Sequence, residues 1–225
     1  MLALATGRWV LRRALGDPIA WLIGLLAFLA TPLMLELSPW VPHQDHLVAQ
    51  ERIARSWIAP LGYLGVSFGL SILASGEAFL LRFGATDRFW GLFWGLGAPA
   101  VALHLCLLGS NAAGLDPETL AKLGIDVIAI DLFLISIALC VWSLGGSPRW
   151  RFGVFLGMVW LLPALLADGG FLERLSAPWK GPPLAAGSML SFASESSSAV
   201  SWLIGQSALL GAAWLLLVPS KALRA

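Results

Sequence analysis

Charge is scarce in this sequence. Only 12% of its residues are Asp, Glu, Lys or Arg, against roughly 25% in a soluble domain, which argues against a water-soluble fold. An excess of either sign is missing too: the formal net charge of +1 supplies no basic face for nucleic acid. Cysteine occurs twice, and Cys106 and Cys140 both lie inside apolar runs. They read as small buried hydrophobes rather than as a disulfide or a zinc pair. Tyrosine occurs once against twelve tryptophans, a bias that fits anchoring at membrane–water interfaces and packing between membrane helices. No Gly-x-x-x-x-Gly-Lys-Ser/Thr stretch occurs, so no nucleotide phosphate is cradled by that motif. Neither a repeat at solenoid spacing nor a separate polar domain interrupts the chain.

What is present is apolar sequence, 58% of the residues, gathered into runs long enough to cross a bilayer, each crossing needing roughly 20 residues. We place spans near 18–37, 59–76, 88–110, 120–144, 150–167 and 198–218. Only helices fit, because unpaired backbone groups cannot face lipid and the runs lack the alternation of a strand. The expected fold is therefore all-α, a polytopic integral membrane protein of about six helices forming one transmembrane domain over 1–225. Residues 1–16 precede the first span as a short amphipathic helix at the interface, with Trp9, Val10, Leu11 and Leu15 in the apolar layer and the arginines at the headgroups. No Ala-x-Ala site follows the first span, so we expect it to stay uncleaved.

Punctuation supports the boundaries. Asp17-Pro18 and Asp116-Pro117-Glu118 each pair an N-cap with a proline at the first helical position. Gly145-Gly146-Ser147-Pro148 ends the fourth span. With both termini cytoplasmic, nine Lys and Arg fall inside and five outside, which favours the N-in, C-in arrangement. Residues 38–58 and 168–197 then form long outer connections, the first holding an amphipathic segment with Leu47, Ile53 and Trp57 and the second apolar enough to dip into the outer leaflet.

Few residues carry chemistry. His43-Gln-Asp-His46 lacks the closing ligands of a metal centre, so no metal or other cofactor is expected. Ser67 and Ser207 with His104 offer the ingredients of an intramembrane serine protease, but not in that family's chain order. No catalytic residue is assigned. His104, Asp126 and Asp131 are polar groups inside spans, where an ionisable side chain marks a functional position and needs a partner. Asp131 lies about 21 Å along its helix from Pro117, and His104, at a comparable depth on the preceding span, is its candidate partner. Three Gly-x-x-x-Gly pairs, Gly65/Gly69, Gly91/Gly95 and Gly153/Gly157, permit close helix contact.

The stretch "GEAFLLRFGATDRFW" places Glu77, Arg82, Asp87 and Arg88 on the inner side, between spans nearly free of charge. An amphipathic first helix, six spans, a charged turn between spans two and three and a semi-apolar outer hairpin before span six form one layout. It resembles the permease subunit of an ABC-type exporter of the six-helix, type-2 export class. In that family the connection between helices two and three is the coupling helix that docks on the ATPase, opening with a glutamate, and Glu77 stands at that place. The Gly-Thr-Leu and Pro that usually follow are absent, and "LLRFGAT" is similar instead to a turn of four-helix exporters. The resemblance implies export across the cell (inner) membrane, a separate ABC ATPase chain as partner, a second permease copy or related permease, and no catalysis by this chain. Wound as short helix, turn and new helix, the stretch lets Gly84 take a left-handed cap and lets Thr86 or Asp87 cap the third span. The alternative reading is a non-transport membrane subunit for assembly or anchoring.

Overall fold

The computed structural model describes residues 2–36, 46–76, 80, 84–161 and 211. Among them every regular element is helical: α1 (Leu2–Leu15), α2 (Pro18–Glu36), α3 (His46–Ser75), α4 (Ala85–Asn111), α5 (Pro117–Ser143) and α6 (Pro148–Leu156), which runs into a π-helical turn at Gly157–Leu161. Three of these, α3 to α5, are long and apolar enough to cross a membrane. They indicate a membrane-embedded protein. The expected span at 198–218 and the hairpin at 168–197 lie outside the described residues, apart from Gly211.

Local chemistry sets the helix ends. Asp116 caps α5, its carboxylate accepting from the backbone N–H of Glu118 and Thr119 at 3.0 Å each, with Pro117 at the first helical position. Gly145 and Gly146 turn out of α5 with φ of +71° and +90°, a backbone region that β-carbons disfavour. Ser147 then caps α6 by accepting from the Trp150 N–H.

Two expectations fail at the start of α4. Gly84 has φ −57° and ψ 157°, so it is not a left-handed cap. Nor do Thr86 and Asp87 cap the helix, because it begins earlier, at Ala85, and places both inside its first turn. A third difference concerns α3. It begins at His46, so most of the segment expected as an outer connection is helical. "HLVAQERIARSW" is rich in good helix formers, and a helix satisfies its own backbone, as a loop there would not.

Close backbone approach holds α3 against α4. A β-carbon on Gly65 would run into Cα of Ala100, and one on Gly69 would stand 2.8 Å from Leu96 Cα, so α3 and α4 cross at glycine contact. Leu73, Leu92, Leu96, Ile130, Leu134 and Leu139 fill the shared core. Gly153 and Gly157, by contrast, face open space.

Helices α1 and α2 follow one another along α4. Thr6 meets Gly91 and Gly7 meets Trp94. Leu11, Ala14, Trp21 and Ile23 share a crevice with Pro99 and Leu103, and Thr31 reaches Asn111. The break between them is satisfied internally: Asp17 Oδ1 accepts from the Ile19 N–H at 2.9 Å, and Trp21 Nε1 donates to the Leu15 carbonyl at 2.7 Å. Arg8, Arg12 and Arg13 are exposed, while Val10 is fully buried.

Candidate functional site: a buried imidazole–carboxylate pair

Buried polar groups gather on one seam of the bundle, where α3, α4 and α5 meet. Residues 55, 58 and 62 recur at helical spacing and therefore share one face of α3. That face is turned toward His104 on α4 and toward Asp126 and Asp131 on α5.

The innermost group is the pair His104–Asp131. Nδ1 of His104 lies 3.0 Å from Oδ2 of Asp131, and Nε2 lies 2.8 Å from the carbonyl oxygen of Ile58. Both side chains are buried, His104 at 1% and Asp131 at 5% exposure. The Ile58 carbonyl can only accept, so Nε2 carries a hydrogen and donates it. A second hydrogen must then lie between Nδ1 and Oδ2, on either atom. An imidazolium facing a carboxylate and a neutral imidazole facing a carboxylic acid contain the same atoms, and both are neutral overall. Unpaired charge inside a membrane bundle is thereby avoided.

Gly62 packs closely against this pair. A β-carbon there would stand 3.0 Å from Leu134 Cδ1, 3.1 Å from Asp131 Oδ1 and 3.2 Å from His104 Cε1. Oδ1 of Asp131 is buried without a hydrogen-bond partner.

Asp126 lies about 7.5 Å from Asp131 along α5, toward the Asn111 end. Its Oδ2 is 3.6 Å from Nε of Arg55, whose Nη2 also pairs with Glu51 at 3.2 Å. The Arg55 and Glu51 side chains are about one-third exposed, so solvent weakens this ion pair. A neutral junction follows: Asn111 donates to Thr31 Oγ1 at 3.1 Å and accepts from Gln50 Nε2 at 3.2 Å, tying α2, α3 and α4 together.

Toward the other end, Tyr63 stacks on Phe155 with ring centroids 5.7 Å apart. The Arg151 guanidinium covers the Trp142 ring, 4.4 Å from its centroid, a cation–π contact. It borders a cavity of about 400 Å³ that is also lined by Ser71, Arg149 and Phe152.

The structure thus brings His104 and Asp131 together and gives Asp126 a different partner. Both ring nitrogens of His104 are engaged by Asp131 and Ile58, so neither is bonded to Ser67. Asp87 is exposed and Arg88 half-buried near the start of α4, whereas Glu77 and Arg82 lie outside the described residues. Among the described residues no group of three or more His, Cys, Asp or Glu side chains could hold a metal ion. Sequence reasoning missed Arg55 and Gly62 as parts of the site. Their spacing with Ile58 becomes visible only when the helix is continued back to His46.

The fold and the seam define a membrane-embedded, all-helical protein with a buried ionisable pair. No protein-family model matches the chain, and neither does any curated protein or solved structure.

Proposed function

We propose that this chain is the membrane-embedded permease subunit of a transport system, of the ABC-exporter kind, working with a separate ATPase chain. The observation that carries transport is the buried His104–Asp131 pair on helices long enough to span a membrane. Ionisable groups are costly at that depth and line substrate or ion pathways in membrane proteins. ATPase coupling is supported by the layout, with Glu77, Arg82, Asp87 and Arg88 concentrated on one short connection. Six spans, an N-in, C-in arrangement in the inner membrane and a second permease copy belong to the same proposal.

A specific observation favours the alternative of an assembly or anchoring subunit: the α3–α4 crossing at Gly65 and Gly69 is pure packing. Affinity purification of the full chain from its native membrane separates the two readings. A nucleotide-binding chain should co-purify, and Glu77→Ala with Arg82→Ala should abolish that association while leaving the protein inserted. Buried charged contacts across an interface are worth about 2–5 kcal/mol when one side is removed. Asp131→Asn should reduce transport by the reconstituted complex without lowering expression. If no ATPase co-purifies and Asp131→Asn has no effect, the anchoring reading stands.

A further inference from the structure

We propose that His104 and Asp131 form a proton-binding site inside the bundle, one shared hydrogen being loaded and released while the imidazole stays anchored to the Ile58 carbonyl. The inference does not rest on the transport reading, and its test reads protons rather than flux.

The hydrogen-bond inventory leads to it. Nε2 is committed to Ile58 O at 2.8 Å, so only the hydrogen between Nδ1 and Oδ2 is exchangeable without moving the ring. Loaded, the pair is neutral and both ring nitrogens are bonded. Release breaks the bond holding that hydrogen and passes a proton to water. It leaves a carboxylate facing the bare Nδ1 lone pair, with a net charge of −1. Two acceptors would then oppose each other where the loaded pair has a hydrogen bond at 3.0 Å.

A second observation is independent of the first. Oδ1 of Asp131 is buried with no hydrogen-bond partner, and it lies 3.1 Å from where a β-carbon on Gly62 would stand. A carboxyl that served only to lock helices would gain by having both oxygens bonded. The helices packed around the pair bring other charged groups to the same seam. From α3 these are Arg55 and Glu51, with Tyr63 next to Gly62 in the chain and stacked on Phe155; from α5 comes Asp126, with the exposed Lys122–Glu118 pair beyond it. Helix α4 adds only the neutral Asn111 at this level. From α6, Arg151 stands at the opposite end, over Trp142. Arg55 is therefore the cation nearest the pair along α3, one turn from Ile58, and it already faces two carboxylates.

The chain has three histidines, so the full-length His43→Gln/His46→Gln variant leaves His104 as its single imidazole. In lipid nanodiscs, nitrogen-15 spectra of that histidine and infrared spectra of carboxylic acid C=O stretching are recorded against pH, over the range where circular dichroism shows the helices intact. Nε2 should remain protonated throughout. One step should appear, either as a large shift of the Nδ1 resonance or, above the background of the other carboxyls among the 13 Asp and Glu, as loss of an acid C=O band at the same pH as a change in the His104 ring signals. Asp131→Asn, whose amide donates to Nδ1 without a shared proton, should remove that step and keep the Nε2 signal. The proposal falls if Nε2 is bare at any pH in that range, if neither signal titrates, or if the step persists in Asp131→Asn. Should Asp131→Asn not fold, His104→Gln serves in its place: Asp131 stays ionisable but loses its imidazole partner, so its acid C=O step should move to a different pH, and an unchanged step is the contrary result.

Discussion

Gly62 has no side chain of its own in the polar seam, and so leaves room for Asp131 and His104 beside it. Gly62→Ala puts a methyl 3.0 to 3.2 Å from Leu134, Asp131 and His104, tighter than ordinary contact. Overpacking of this kind costs about 1–3 kcal/mol. Urea unfolding in detergent should show that loss, and an unchanged midpoint would mean the pair yields easily. Asp116 offers a residue-scale test at the surface. Its hydrogen bonds from Thr119, backbone first, together with that from Glu118, outweigh desolvation and hold its carboxyl below the ordinary aspartate value. A lowered folded value means that its contribution is present above the unfolded value and disappears as pH falls through the folded one. Hydrogen exchange at the Glu118 and Thr119 amides should therefore accelerate in acid, beyond the intrinsic trend, and Asp116→Ala should abolish that excess.

Helices in lipid lack a hydrophobic drive to associate and depend on close packing. The α3–α4 crossing shows where that packing is strictest, and two glycines of similar sequence context separate the cases. Gly65→Ala drives a β-carbon into the Ala100 backbone, whereas Gly153→Ala meets nothing within 4 Å. The first should lower the thermal midpoint followed by circular dichroism. The second should leave it unchanged or raise stability by up to about 1 kcal/mol, since alanine is the better helix former. Equal behaviour of the two variants would mean that α3 and α4 do not cross at Gly65. The broken path of α1 and α2 belongs to this scale as well. Asp17 and the Trp21 indole bond the backbone groups that the break frees, which lets a helix stop and restart beside α4 without stranding polar groups.

For the whole molecule, orientation follows from where positive charge collects. Reporter fusions after Trp150 should lie in the cytoplasm and fusions near Ser176 outside. A cytoplasmic Ser176 would remove the hairpin from the outer side and with it the layout that supports the exporter reading. Only α3, α4 and α5 among the described residues have the length and apolar character of spans, so this experiment also counts the remaining crossings.

Composition alone determined that the chain is apolar and helical, because too little charge and too many long apolar runs leave no other way to satisfy the backbone. Start and stop signals were equally legible where the chemistry is local: Asp116-Pro117 and Gly145-Gly146 act on their own backbone and need no distant partner. The start of α3 was legible only in part: the amphipathic pattern of "HLVAQERIARSW" is in the sequence, but its polar residues set it apart from the span until Arg55 finds Asp126 on another helix. Depth along the runs placed His104 and Asp131 at similar levels. Depth does not say which way a helix is turned, however. Only the tertiary structure decided that the His104 ring would lie between Asp131 and the Ile58 carbonyl, because rotation of each helix about its axis is set by packing against its neighbours, and here by the absence of a side chain at Gly62.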